Sequence, residues 1–386
     1  MLTLYNDLMA LCASNEAFYF VDQTYDGDKY RVFTYRLASY TDFLLPNALE
    51  CRGHTFRLGV NDEPLYLASL PPAKFFNISE NPMTMDLDFS KTVGIMDKLD
   101  GSLISTVSIL AVDDGSYFSE GFFLKSKTSF TSEHALEATR LLNTPEYEDL
   151  QEFLYESSGW TVNMELLSPT LRIVIGYDKP TLKILNIRDN VTGQYIPRET
   201  FMHESDGDFV ERYWVKYIEC DDPVTFVPSI VDMEDNIEGY IIVLDTGQMV
   251  KQKTRKYALL HHTKDSVNSP RRLFEACVYE QSDDLRAMFA TDPYAVVLIN
   301  AMQEKVAHLY NHIHKTIHEY YEANKEMDRK TYALAGQANS DIMKHGVFGL
   351  VMNLYQGKSA DVKAFLVKNY KSFGIKDDPE DLTIEE

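Results

Sequence analysis

The dominant spacing of apolar residues changes near residue 258 of this chain, and that change limits the folds open to it. Up to there, short β-branched and aromatic runs alternate with turn residues. ECRGHTFRL, TVGIMDKLDGSLISTVSIL, GFFLKSKTS, WTVNMELLS, TLKILNIRDNVTGQYI and GYIIVLDTGQMVKQKTRKY are the clearest. Such runs are the signature of strands with a buried face. Beyond it, PRRLFEACVYE, SDDLRAMFA, AVVLINAMQEKVAHLYNHIHKTIHEYYEANKEM and DIMKHGVFGLVMNLYQG repeat at helical spacing. Helical pieces also interrupt the first part: an amphipathic N-terminus, and SEHALEATRLLN with Ser132 placed to cap it. TKDSVNSPRRLF reads as a linker and KDDPEDLTIEE as a loose acidic tail. The expectation is an α+β protein: a mainly antiparallel-sheet domain over residues 1–258, then an all-α domain over 259–386.

Length agrees, since 386 residues have room for two domains. The N-terminus carries no basic leader, and no stretch approaches the apolar length of a membrane span. Cys12, Cys51, Cys220 and Cys277 are widely scattered, which argues against a zinc ribbon or a disulfide framework and for reduced thiols. The net charge of −22 weighs against nucleic-acid binding. A polyanionic substrate would need a local basic cleft in an acidic body.

Two lysine pairs would supply one. Residues i and i+2 share a strand face, so Lys125 and Lys127 point one way, as do Lys251 and Lys253. They are either solvated faces of edge strands, where lysine deters aggregation, or the walls of a phosphate site. In WTVNMELLS, Thr161, Asn163 and Glu165 share a polar face opposite Val162, Met164 and Leu166. Glu238 precedes Gly239 at a strand mouth, where it could hold a ribose hydroxyl or a metal-bound water, or simply face solvent.

Lys98 stands two residues before Asp100-Gly101, with strand-like runs on both sides. It is either the tip of a hairpin or a lysine held at a sheet edge as a nucleophile. Attack on phosphorus needs a neutral amine, and free lysine titrates at about 10.4. Desolvation and the other four lysines would lower that value. Lys-x-Asp-Gly alone is weak, since chance places it in roughly one chain in ten of this length.

The ordered series is stronger. Lys98-Leu99-Asp100-Gly101-Ser102, the strand of Glu165, LKILNIRDN, Glu238-Gly239 and Lys251-Gln252-Lys253 resembles the nucleotidyltransferase motifs of ATP-dependent polynucleotide ligases and capping enzymes. TYRLASYTDFLLPNALECRGHTF, KFFNISENPMTM, DNIEGY, SDDLRAMF, RKTYAL and FGLVMNLYQG are similar to the T-even bacteriophage type of RNA ligase that repairs broken tRNA. That resemblance implies an N-terminal adenylation domain and a helical RNA-recognition domain. It implies ATP and Mg2+ as cofactors, RNA ends or nicked tRNA as substrate, and a monomer in the host cytoplasm. By the same resemblance Lys98 is the nucleophile, and Arg52, Lys251 and Lys253 contact the triphosphate. Tyr35, Lys74 and the neighbouring Phe76 are further nucleotide contacts, with Asp100 and Gly101 near the ribose. Lys125 and Lys127 would join them. Glu165 and Glu238 are essential carboxylates, Leu185 and Ile241 bracket the adenine, Tyr257 is required for activity, and Asp283 is a metal position. A guanylyltransferase and an inactive RNA-end-binding adaptor are the alternatives. The helical turn after the second lysine pair, where DNA ligases and capping enzymes place a β-barrel, favours RNA ligase over either.

His308, His312, His314 and His318 form two i,i+4 pairs. The pairs lie about 200° apart round a helix, so the expectation is an RNA-facing surface or packing with Tyr310, Tyr320 and Tyr321, in preference to a metal site.

Overall fold

The structure is a computed structural model. It describes all residues except 1, 114–115, 172–174, 202–206, 236, 262–266, 268, 291–292 and 377–386. The chain divides into two compact units, Met1–His261 and His262–Glu386. The acidic tail, from residue 377, and most of the linker's first half lie outside the described residues.

In the first unit the strands are β1 (Phe18–Tyr25), β2 (Asp28–Tyr35), β3 (His54–Leu58), β4 (Pro64–Ser69), β5 (Phe76–Asn77), β6 (Thr92–Lys98), β7 (Ser102–Asp113), β8 (Ser116–Ser126), β9 (Trp160–Leu167), β10 (Thr181–Asp189), β11 (Tyr195–Ile196), β12 (Gly239–Leu244) and β13 (Met249–Lys253). They form three sheets, ordered β1-β2-β3-β4, β11-β10-β9-β7-β8 and β5-β13-β12-β6. Pairing is antiparallel except between β5 and β13.

Strand β2 shows why the first two sheets stack. Tyr30 and Val32 point to one side, into a cluster with Val107 and Phe123 from the second sheet and Phe130 from the loop after β8. Phe33 points to the other, against Tyr5, Leu8 and Leu11 of the N-terminal helix Leu2–Ser14. A strand covered on both faces loses polar alternation. On β9 the side of Val162, Met164 and Leu166 packs on helices that include Glu133–Leu142 and Glu148–Glu156. Ser132 caps the first of these, its Oγ accepting from the Ala135 N–H at 3.2 Å.

In the second unit the helix Pro293–Asn324 buries Ala295, Ile299, Val306, Ile313, Ile317 and Tyr320, spaced in threes, fours and sevens along one stripe. Shorter helices surround it, several with side-chain caps: Ser269, Asp328 and Asp361 accept from Arg272, Thr331 and Ala364 N–H groups. Among the described residues no helix is long and apolar enough to cross a membrane. The four cysteines are free thiols.

Candidate active site

Lys98 is not a hairpin tip. It is the last residue of β6, an edge strand of the third sheet, while β7 begins at Ser102 in the second. The Asp-Gly stretch is therefore a crossing between sheets, and Lys98 stands where they meet. Gly101 is required at this crossing, because a Cβ there would lie 2.4 Å from the Leu166 carbonyl.

Register builds the rest. Gly239 pairs with Lys98 on one side and Lys253 on the other; two residues on, Ile241 pairs with Met96 and Lys251. These two rows share a face, so the lysines flank Gly239 roughly 10 Å apart by backbone, two strand spacings. The gap between them is filled by Glu238, 3% exposed. Its Oε2 lies 2.9 Å from Lys98 Nζ and its Oε1 3.1 Å from Lys253 Nζ. The charge nearest the Lys98 amine is thus a carboxylate that bridges two lysines.

Beside this pair is a cavity of about 230 Å3, lined by Lys98, Gly101, Arg52, Glu165, Leu185, Ile241 and by Phe75, Met96, Leu99, Leu103 and Met249, among others. Its lining combines the charged residues Arg52, Asp97, Lys98 and Glu165 with apolar ones, Leu185 and Ile241 among them. Leu185 is directed there by a β-bulge: the β9–β10 register shifts between Ile184 and Asn186, leaving Leu185 as the extra residue. Burial drives the Glu165 carboxyl up to about 7; Lys98 opposes the shift, and Glu238 adds to it. Arg52 also acts on Glu165 and donates to the Pro72 carbonyl at 3.3 Å.

Several expectations are corrected. Lys125 and Lys127 do not share a strand face, because β8 ends at Ser126. Lys125 has no exposure and donates to the Ser126 and Lys127 carbonyls at 3.3 and 3.2 Å. Burial, with Arg52 and Lys127 nearby, lowers its amine to about 7. Lys127 instead sits 4.2 Å over the ring of Tyr35. Tyr35 packs on Phe43, and Lys74 lies 5.1 Å over Phe76, so these residues form a neighbouring group that does not line the Lys98 cavity. Phe76 is core, and adjacent Phe75 takes the cavity side. Asp100 is 3% exposed and does not line the cavity. Its Oδ1 accepts from Tyr257 Oη at 2.7 Å and its Oδ2 from the Ile175 N–H at 2.5 Å. Tyr257 consequently fastens the crossing instead of lining the cavity.

In the second unit, Asp283 lies in the first turn of the helix Ser282–Met288. Among the described residues no group of three or more His, Cys, Asp or Glu side chains could hold a metal. His314 stacks on Tyr310 with centroids 5.9 Å apart. His312 Nε2 meets His345 Nε2 at 3.0 Å, a partner 33 residues away that periodicity could not disclose.

An amine at a sheet junction stands beside a slot lined by both charged and apolar side chains, an arrangement able to take a phosphorylated planar molecule. Residues 50–257 match the family model described as RNA ligase, and residues 264–377 the model described as T4 RNA ligase 1, C-terminal domain. RNA ligase 1 of bacteriophage TS2126 is 26% identical, covering 74% of this chain and 69% of its own. A Thermovibrio ammonificans protein carrying an RNA ligase name is 24% identical, covering 77% and 78%. A solved Naegleria gruberi RNA ligase with PPi aligns with a TM-score of 0.36 at 13% identity, over 52% of this chain and 59% of its own. The chain belongs to the RNA ligase family, and joining RNA ends is the activity that goes with it.

Proposed function

We propose that the chain joins RNA 5′-phosphate and 3′-hydroxyl ends at the expense of ATP, through an adenylate carried on Lys98. The observation that carries this reading is the position of Lys98, in the wall of the slot with its Nζ 2.9 Å from Glu238.

Three in-line displacements follow. The unprotonated Lys98 amine attacks the α-phosphorus of ATP; an N–P bond forms, the P–O bond breaks and pyrophosphate leaves. Glu238 is within hydrogen-bond reach of the ammonium and accepts its proton. An oxygen of the RNA 5′-phosphate then attacks the same phosphorus, the N–P bond breaks, and the amine recovers a proton. Last, the RNA 3′-hydroxyl attacks the activated 5′-phosphate and AMP leaves. Arg52, Lys251 and Lys253 neutralise the triphosphate, while Leu185, Ile241, Phe75 and Met249 enclose the base. Catalysis is then mostly alignment and charge neutralisation.

Glu165 and Glu238 are two carboxylates beside Lys98 and offer no complete protein cage. That suits magnesium, which binds through one or two carboxylates plus substrate phosphates. Arriving with ATP, it would neutralise phosphate charge. The helical unit, which matches the model described as T4 RNA ligase 1, C-terminal domain, is assigned RNA recognition, and broken tRNA is offered as substrate on the sequence resemblance alone.

The test is label transfer. Wild-type protein incubated with α-labelled ATP and magnesium should carry covalent AMP, and Lys98→Ala should carry none. Wild-type protein that takes up no label would overturn the reading.

A further inference from the structure

Arg188, near the end of β10, is 4% exposed, and every one of its five N–H donors is engaged. Nη1 donates to Glu50 Oε2 at 2.8 Å and to the Pro71 carbonyl at 2.9 Å. Nη2 donates to Glu50 Oε1 at 3.1 Å and to the Gly193 carbonyl at 2.7 Å. Nε donates to the Gly193 carbonyl at 3.2 Å. Glu50 Oε2 also lies 2.8 Å from Nε2 of His54, which has no exposure. Burial alone would raise the Glu50 carboxyl, but His54 and Arg188 override it and hold it well below the usual carboxylate range.

None of these three side chains lines the Lys98 cavity, yet each is tied to a segment that does. Glu50 is two residues from Arg52. Arg188 shares β10 with Leu185 and Asn186, which line the slot. The Pro71 carbonyl it holds belongs to Leu70–Ala73, the stretch that brings Pro72 to the wall. That stretch lies outside the sheets and contains two prolines without N–H groups, so it cannot fix itself by backbone pairing. Side chains fix it instead. The carbonyls of Leu70, Pro71 and Pro72 accept from Asn163, Arg188 and Arg52 at 3.4, 2.9 and 3.3 Å. The N–H groups of Leu70 and Ala73 donate to Thr161 Oγ1 and Tyr195 Oη at 2.7 and 3.1 Å.

We propose that Arg188, braced by Glu50 and His54, is a positioning residue for adenylation. It locks the Arg52 segment, the Pro72 wall and the bulged part of β10 into one frame, so that the Arg52 guanidinium meets the triphosphate in a fixed place. The inference rests on the cavity being the ATP site. A planar fork is needed because two carboxylate oxygens and two carbonyls must be reached at once, which a lysine cannot do.

The test compares Arg188→Met and Arg188→Lys with Arg31→Met, using the rate of covalent AMP uptake from ATP and urea denaturation of each variant. Arg31 is a buried control, 8% exposed: it pairs with Asp22 at 2.8 Å and bonds Tyr5 at 2.7 Å, away from the cavity lining. Arg188→Met should raise the KM for ATP about tenfold, with a smaller fall in maximal rate. Arg188→Lys should recover part of that loss, and Arg31→Met should lose stability without a change in KM. If Arg188→Met does not fold, Arg188→Lys and Glu50→Gln carry the same comparison. An unchanged KM in folded Arg188 variants, or an equal rise in Arg31→Met, would sink the proposal. Wild-type protein that takes up no AMP would remove the adenylation reading itself, a separate outcome.

Discussion

The Nζ of Lys98 lies 2.9 Å from Oε2 of Glu238, whose other oxygen is 3.1 Å from Lys253. One buried carboxylate therefore keeps two ammonium groups apart and positions the one that reacts. Glu238→Gln preserves the shape but removes the charge and the proton acceptor. Its rate of AMP uptake should fall by at least about a hundredfold, measured under single-turnover conditions. A rate within a few-fold of wild type would count against any role for Glu238 in the step.

Gly239 separates the same two lysines and adopts φ +148. A Cβ there would fall 2.0 Å from the Gln252 carbonyl, and backbone cannot retreat as a flexible side chain would. Gly239→Ala should cost at least about 2 kcal/mol of folding stability and open the β12–β13 pair. Urea denaturation, with AMP uptake measured on the folded fraction, checks both effects.

Glu165 predicts a pH dependence. Its folded-state carboxyl is raised to about 7 from the ordinary 4.5. Between those values the folded protein holds a proton that the unfolded chain has released. Stability therefore falls as pH rises from about 4.5 to 7, by up to about 3 kcal/mol, and this contribution is flat above. Glu165→Gln does not titrate, so its stability relative to wild type should climb across that window. A pH-independent difference would show that the group is not raised.

Leu185 and Ile241 line the apolar part of the slot from different sheets. Contacts to a base are the same in the ground and transition states, so truncation should weaken binding and spare chemistry. Leu185→Ala and Ile241→Ala should each raise the KM for ATP about five- to thirtyfold, with the maximal rate of AMP uptake nearly unchanged. A fall confined to the maximal rate would place the base elsewhere.

What the sequence disclosed depended on range. Lys251 and Lys253 were legible because alternation along one strand is local, and the fold class because the dominant period shifts near residue 258. Leu185 could be placed in the slot only through resemblance, since a bulge leaves no mark in composition. Phe75 and Phe76 could not be told apart, because β5 is two residues long and offers no period to count. The burial of Lys125 and the Tyr257–Asp100 bond depend on residues far apart in the chain, 157 positions in the second case. Pattern along the chain says which side chains could share a face; it says nothing of what is packed against that face.

The chain leaves one sheet at Lys98 and enters the next at Ser102. Four peptide steps span at most about 14 Å when fully extended, so the opposing walls of the slot are leashed together at the reacting amine itself. The sheets cannot swing widely apart there to admit a nucleotide. Entry and exit must come from rearranged side chains and loops, and a linker lengthened between those two residues would slacken the leash at the one point where slack changes the reach of the nucleophile.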